Sequence, residues 1–308
     1  MHTHAKWVLT VVWVASLAAF PQTSTRVTLN VVAFDSHDQL VGDLTSQDFQ
    51  VSDQGKPQHI VSFHRNADAP QMSPPVVLLF DLINNGLGNR GYATEEIIQA
   101  LEHLDVSDSL YLYLLISRGE LKPVRGLPSP QDHNPPEKTP WTEHIKPLLE
   151  AAMGNAVGVG GGDAFSALEA LGEALRPFPG RKNVIWITGG VPLSYVTGSG
   201  VRPFDNSPLV NRTATTLDHD GVTLSSFHQG NNVENGNLDT LELFADLTGG
   251  KVYSNDIEKA VKEVMAASRS GYVIEYDGPR LDGKYHKIRV TCSRKGVHLQ
   301  VKQGYYAN

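Results

Sequence analysis

Val76-Val77-Leu78-Leu79-Phe80-Asp81-Leu82-Ile83-Asn84-Asn85 runs five apolar residues into a carboxylate, then two more apolar residues and two amides ahead of Gly86. A short unbroken apolar run closed by turn residues reads as a strand buried on both faces, and so as a parallel sheet covered by helices on each side. An acid at the carboxyl end of such a strand stands where open α/β sheets place their ligand crevice. Asp81 is therefore the first candidate site residue.

The sequence around this strand alternates in the way such a sheet requires. Thr94 to Leu104 carries Ile97, Ile98, Leu101 and Leu104 at helical spacing, and Leu110 to Ile116 is a second apolar strand. Leu121 to Val124 reads as an edge strand, because Pro123 cannot donate to a ladder. Helices are expected over Trp141 to Met153 and over Asp163 to Leu175, then a strand from Asn183 to Thr188. Helix Leu209 to Leu217, strand Val222 to Phe227, helix Leu238 to Leu247, strand Lys251 to Tyr253 and helix Ile257 to Ala267 complete the series. Strands and helices alternating at this length imply right-handed crossovers and an α/β, doubly wound, mostly parallel sheet of Rossmann-like kind.

Both ends of the chain instead show β character. Val27, Leu29 and Val31 alternate with Thr28 and Asn30, and Asp53-Gln54-Gly55-Lys56 reads as a hairpin turn ahead of Ile60 to Phe63. Near the other end, Tyr272 to Tyr276, His286 to Thr291 and Val297 to Val301 are three candidate strands. A β module at each end of an α/β core predicts one composite β-sandwich built from both termini. The expected divisions are 1–19, an N-terminal β module over 25–69, the α/β domain over 74–268 and C-terminal strands over 270–308. The segment 67–75, with Pro70, Pro74 and Pro75, reads as a linker.

Composition bounds the function classes. The 308 residues are 40% apolar and carry a net charge of -7, enough to bury a sizeable core and without the basic clusters that nucleic acid requires. Lys6 followed by an uncharged run from Trp7 to Phe20, with Ser16, Ala18 and Ala19 near its end, has the layout of a secretory signal, and the alternative is an uncleaved anchor. The expectation is export to the periplasm or beyond, with the membrane involved only in transit. The single cysteine, Cys292, allows no internal disulfide, and its β-branched neighbours place it in a strand rather than at a nucleophilic site.

The chemistry-bearing patterns are few. Asp81, Asn85, Asp163 and Thr188 form a candidate oxygen-rich set around the crevice, the donor type that Mg²⁺ or Ca²⁺ takes. The alternative is structural, with Asp81 capping backbone N–H groups of its own loop and Asp163 capping its helix. The run Gly158 to Gly162 lacks a following Gly-Lys-Ser/Thr, and Asp163 puts negative charge where a phosphate would sit, so no nucleotide is expected. No Gly-x-Ser-x-Gly elbow and no His-Glu-x-x-His helix occurs. His59 and His64 are five apart on an expected strand, hence on opposite faces. Asn211-Arg212-Thr213 fits a glycosylation acceptor too short to be informative, and Tyr305 and Tyr306 read as sandwich packing.

The chain resembles von Willebrand factor type A (VWFA) domain proteins, and more narrowly a VWFA-related family abundant in acidobacteria. The residues that carry the resemblance are the Val-rich segment Val27 to Phe34, Leu44-Thr45-x-x-Asp48-Phe49, Gly55-Lys56-Pro57-Gln58, Tyr272-Val273, Asp282-Gly283-Lys284 and Gly304-Tyr305-Tyr306. The resemblance implies a metal-ion-dependent adhesion site: Asp-x-Ser-x-Ser after the first strand, a later Thr and an Asp after the fourth strand. Here Asp81 matches the first Asp, but Ile83 and Asn85 replace the two Ser, Asp163 the Thr, and Gly189 the second Asp. It therefore implies an exported, non-enzymatic protein that binds an unknown protein or cell-surface ligand through a degenerate site at Asp81, Asn85 and Asp163, with no cofactor or a weakly held Mg²⁺ or Ca²⁺. The alternative is a periplasmic or secreted hydrolase using a cation or acid in the same crevice.

Overall fold

A computed structural model describes residues 26–68, 74–84, 109–129, 161–195, 204–228, 235–278 and 281–307, together with positions 95, 98, 99, 102 and 147. The expected signal segment 1–19, Asn85, most of the expected helix 141–153 and positions 158–160 lie outside the described residues.

The chain opens with β1 (Arg26–Phe34), a single 3-10 turn at Ser46–Asp48, β2 (Phe49–Asp53), β3 (Lys56–Gln58) and β4 (Ile60–Arg65). Leu44 and Phe49 anchor the turn between them in the core, and the Asp48 carboxylate accepts from both the backbone N–H and the hydroxyl of Thr45 at 2.8 and 2.9 Å. The Leu-Thr-x-x-Asp-Phe motif is thus a folded corner. Gln54 and Gly55 both sit at positive φ, 49° and 75°, which gives the β2–β3 hairpin the twist of its strands.

The central part follows as β5 (Val76–Asp81), β6 (Leu110–Ile116), β7 (Glu120–Arg125), α1 (Gly161–Leu175), β8 (Lys182–Thr188), β9 (Ser194–Tyr195), β10 (Phe204–Asp205), α2 (Ser207–His219), β11 (Val222–His228), α3 (Asn235–Thr248), β12 (Val252–Tyr253) and α4 (Ile257–Ser270). Glu95, Ile98, Gln99 and Glu102 are helical positions between β5 and β6. Six strands form one mixed sheet in the order β12-β11-β8-β5-β6-β7. Its first five are parallel, and β7 closes the edge antiparallel to β6, with Pro123 opposite Tyr113. The winding reverses at β5, so the crevice opens between the carboxyl ends of β5 and β8.

Alternate residues of these strands serve two cores. Val76, Leu78, Phe80, Ile185 and Ile187 pack with Ala260, Val261 and Val264 of α4, whereas Val77, Leu79, Val184 and Trp186 pack with α1, α2 and α3 through Phe165, Leu168, Leu217 and Phe244. Each fully buried side chain of this size contributes roughly 1.5–3 kcal/mol of transfer free energy. By parity Asp81 shares the face of Val77 and Leu79, which directs it under α1 and α3 rather than toward α4.

The chain ends with β13 (Tyr272–Asp277), β14 (Tyr285–Cys292), β15 (His298–Gln300) and β16 (Gly304–Tyr306). Strands from both termini interleave in two antiparallel sheets, β15-β1-β13-β4 and β16-β14-β2-β3. Leu29, Val31, Phe49, Val51, Tyr272, Ile274 and Ile288 fill the space between them. Cys292 is half-buried at the end of β14.

Three expectations change in detail. Gly161 and Gly162 form the first turn of α1, so the glycine loop is shorter than the run Gly158 to Gly162, and Asp163 is the third helical residue rather than the first. His59 lies between β3 and β4 rather than on one strand with His64, because the chain crosses from one sheet to the other there. Four C-terminal strands form where three were expected, the addition being β16 at Gly304-Tyr305-Tyr306.

Candidate functional site

Asp81 ends β5 with no solvent exposure. Its Oδ1 accepts from the backbone N–H groups of Ile83 and Asn84, each at 2.9 Å. Its Oδ2 accepts from the Asn84 side-chain amide at 2.7 Å, the Trp186 indole at 3.0 Å and the Thr188 hydroxyl at 3.0 Å. Burial pushes the Asp81 carboxyl above the ordinary carboxylate range, and the hydrogen bonds from Asn84, Thr188 and Ile83 oppose that rise. The carboxylate therefore fastens the loop after β5 to the end of β8.

The β8 side of the crevice is closed by a chain of such contacts. Thr188 Oγ1 donates to Asp81 and accepts from the Gly190 backbone N–H at 3.0 Å. Gly190 has φ +85°, and a Cβ there would lie 2.8 Å from Cβ of Asn237 on α3, so helix and turn are in direct contact. Asn237 Nδ2 donates to the Gly189 carbonyl at 3.1 Å. His228, at the end of β11, also bonds the Gly189 backbone; burial pushes its imidazole below the usual value of 6.5, with the Gly189 bond opposing.

Of the four residues expected at the site, Asp81 and Thr188 are brought into contact. Asn85 and the Asp163 side chain fall outside what is described, the Asp163 backbone standing in the first turn of α1. Asn84, Trp186, Asn237 and His228 take part in the site without having been singled out from sequence. Trp186 was legible, since it stands two residues before Thr188 on one strand and so shares its face. Asn237 and His228 reach the site only through the winding of α3 and β11, which no local spacing reveals.

A hard cation needs six or more oxygen ligands with lone pairs directed at it. Both Asp81 oxygens are instead directed at protein N–H and O–H groups, and Gly189, where a second acid would stand, supplies a carbonyl already engaged by Asn237. The described donors do not fit a Mg²⁺ or Ca²⁺ site. Among the described residues, no group of three or more His, Cys, Asp or Glu side chains is placed to hold a metal.

The chain that leaves the carboxyl end of β8 forms the short β9–β10 ladder, which pairs Tyr195 with Phe204. Asn206 pins it to the segment after β8, donating from its backbone to Leu193 and from its side chain to Pro192, both at 2.8 Å. Asp205 Oδ1 accepts from Ser207 N–H at the start of α2. Phe204 stands 56% exposed on this fixed support.

A second buried polar cluster lies in the sandwich, far along the chain from the crevice residues. Asp53 on β2 accepts from the Tyr276 and Tyr305 hydroxyls at 2.9 and 3.0 Å and faces His286 Nδ1 at 3.0 Å. Burial, first of all, pushes both tyrosine hydroxyls upward. Tyr276 belongs to one sheet and the other three to its partner, so the cluster joins the two layers.

No protein-family model matches the chain, and no curated protein matches it in sequence. Among solved structures it is similar to the manganese-loaded TRAP protein of Plasmodium vivax, with TM-score 0.44 and 14% identity over 84% of this chain and 99% of that one. It is also similar to the three N-terminal domains of the type V pili tip protein Mfa5 from Porphyromonas gingivalis, with TM-score 0.40 and 9% identity over 83% and 57%. The human COPII-coat protein Sec24c gives TM-score 0.39 and 12% identity over 77% of this chain, which spans only 44% of that structure.

Proposed function

We propose that the chain is an exported, non-enzymatic binding protein of VWFA type, which meets a protein or cell-surface partner at the carboxyl edge of its six-stranded sheet and needs no cation to do so. The observation that carries this reading is that both Asp81 oxygens accept hydrogen bonds, five of them from described residues, while Phe204 stands exposed on the segment between β8 and α2. An apolar ring held on a rigid ladder suits recognition, because little side-chain entropy is lost when it is covered. The hydrolase alternative would require a carboxylate free to activate water, and the Asp81 oxygens are committed to holding the crevice together.

Binding of the purified chain to arrays of extracellular-matrix proteins and glycans, in Ca²⁺ plus Mg²⁺ and again in EDTA, tests the reading. The expected result is a positive partner whose binding is equal in both buffers and lost in Phe204→Ser at unchanged melting temperature. Binding abolished by EDTA would return the crevice to metal-dependent adhesion, and binding indifferent to Phe204→Ser would move the contact surface elsewhere.

A further inference from the structure

The sandwich and α4 face each other across an open groove of about 1180 Å³. Four consecutive residues, His298, Leu299, Gln300 and Val301, line it together. Successive side chains of a strand point to opposite faces, so a cleft touched by all four runs along the edge of β15 and not over either face. β15 is an end strand of its sheet, with β1 on its inner side. Ala33 of β1 turns its backbone away from β15, its carbonyl accepting from Val41 N–H at 2.9 Å, so Val32 and Phe34 are the β1 residues that turn toward that strand. They oppose Gln300 and His298, which leaves Leu299 between them with its N–H and C=O directed outward into the groove. Among the described residues, no backbone group bonds either of them from that side.

The facing wall is a stripe of α4, where Glu258, Lys259, Lys262 and Glu263 repeat at i, i+4 spacing. Leu40, Leu299 and Val301, all half-buried, supply apolar lining, and the Phe34 and His298 rings stack beside them with centroids 5.3 Å apart. Five carboxylates and three lysines line the groove. Two of those lysines are taken up by its own glutamates: Lys251 bonds Glu263 at 2.8 Å, and Lys262 bonds Glu258. Asp38, Asp246 and Asp256 are then set against Lys259. Asp246 accepts from the neutral Gln303 amide at 2.7 Å, Asp256 from the Lys259 backbone N–H at 2.9 Å, and Asp38 lies 3.3 Å from His298 Nε2. An excess of negative charge beside an open strand edge suits an extended, positively charged chain.

We infer that a basic peptide segment of a partner protein docks in this groove as a further strand on β15, exchanging backbone hydrogen bonds with Leu299 and placing a Lys or Arg beside Asp246. A second copy of this chain is a poor occupant, because two copies at a net charge of -7 repel each other. The groove shares no lining residue with the crevice at Asp81 or with Phe204, so it stands or falls separately from partner binding there.

Selection of random heptapeptides displayed on phage against the full chain, followed by fluorescence anisotropy of the strongest one in synthetic form, tests it. The enriched peptides should carry net positive charge and alternate basic with apolar residues. Leu299→Pro keeps the ladder with β1 while deleting the outward N–H, and should weaken the synthetic peptide about fivefold, the worth of one backbone hydrogen bond. Asp246→Asn keeps an acceptor for Gln303 and should weaken it about threefold, as for an exposed ion pair, with a smaller effect at high salt. Phe204→Ser should leave the affinity unchanged. If Leu299→Pro fails to fold, N-methylation of each peptide amide in turn decides, since one methyl group must block the bond to the Leu299 carbonyl. The inference is overturned by no enrichment, by enrichment of neutral or acidic peptides, or by unchanged affinity in Asp246→Asn or in a folded Leu299→Pro. Indifference to every N-methyl group, or loss of binding in Phe204→Ser, overturns it equally.

Discussion

Asp81 holds the crevice by accepting from Asn84, Trp186 and Thr188, which sit with it in the buried end of the sheet. Asp81→Ala therefore should cost roughly 3–5 kcal/mol, since it leaves several buried donors unpaired. Asp81→Asn keeps one acceptor oxygen and should cost less; chemical denaturation of both variants gives the order, and an Asp81→Ala protein as stable as the parent would overturn the assignment. The same geometry changes the design of crevice experiments: replacing Asp81 probes folding before it probes binding. His228 gives a pH signature at the same scale. Its native imidazole titrates below the unfolded value of 6.5, so the unfolded state binds the extra proton first. Stability should then rise with pH up to about 6.5 and fall as the medium is acidified through the lowered native value, a slope that His228→Gln should flatten in urea titrations across that range.

At the scale of elements, Asp53 joins the two layers of the sandwich through Tyr276 and Tyr305. Tyr276→Phe and Tyr305→Phe should each cost about 1 kcal/mol, because the other hydroxyl still serves the shared oxygen. Replacing both should cost more than the sum, and a double-mutant cycle without coupling would show that the pair acts separately. The elements themselves were largely legible. Val76 to Phe80 could only be a doubly buried strand, and Val27, Leu29 and Val31 could only face one core, so periodicity placed β5, β6, β8, β11 and β1 directly. The site was legible in part, since Asp81 and Thr188 follow from strand ends while the role of Asp81 does not. Whether a carboxylate at a strand end holds a metal or its own loop depends on which donors the winding brings within 3 Å, and Trp186, a hundred residues away, supplies one of them. The strand β16 escaped notice because Gly304-Tyr305-Tyr306 is too short to show alternation.

At the scale of the molecule, the sandwich and the six-stranded sheet are joined by polar contacts rather than by a linker alone. Lys302, buried, bonds both oxygens of Asp218 at 2.8 and 2.7 Å, Gln303 bonds Asp246 through backbone and side chain, and Gln300 donates to Gly249. Asn66 reaches Gly271 and Ser268 from the other side. A single calorimetric transition is expected on heating, and Lys302→Met should lower it by leaving Asp218 without its partner, by about 1–3 kcal/mol. Two separated transitions in the parent would show that the junction does not couple the two parts.

β1 lies between β13 and β15, and its first residue pairs with Asp277. During synthesis, then, β1 has neither of its ladder partners until the α/β sheet that precedes them in the chain has been made. Closing that loop is a late, entropy-limited step. The sandwich therefore closes only once β13 has been made: until then Leu29 and Val31 lack Ile274 and Tyr272, the residues they pair with.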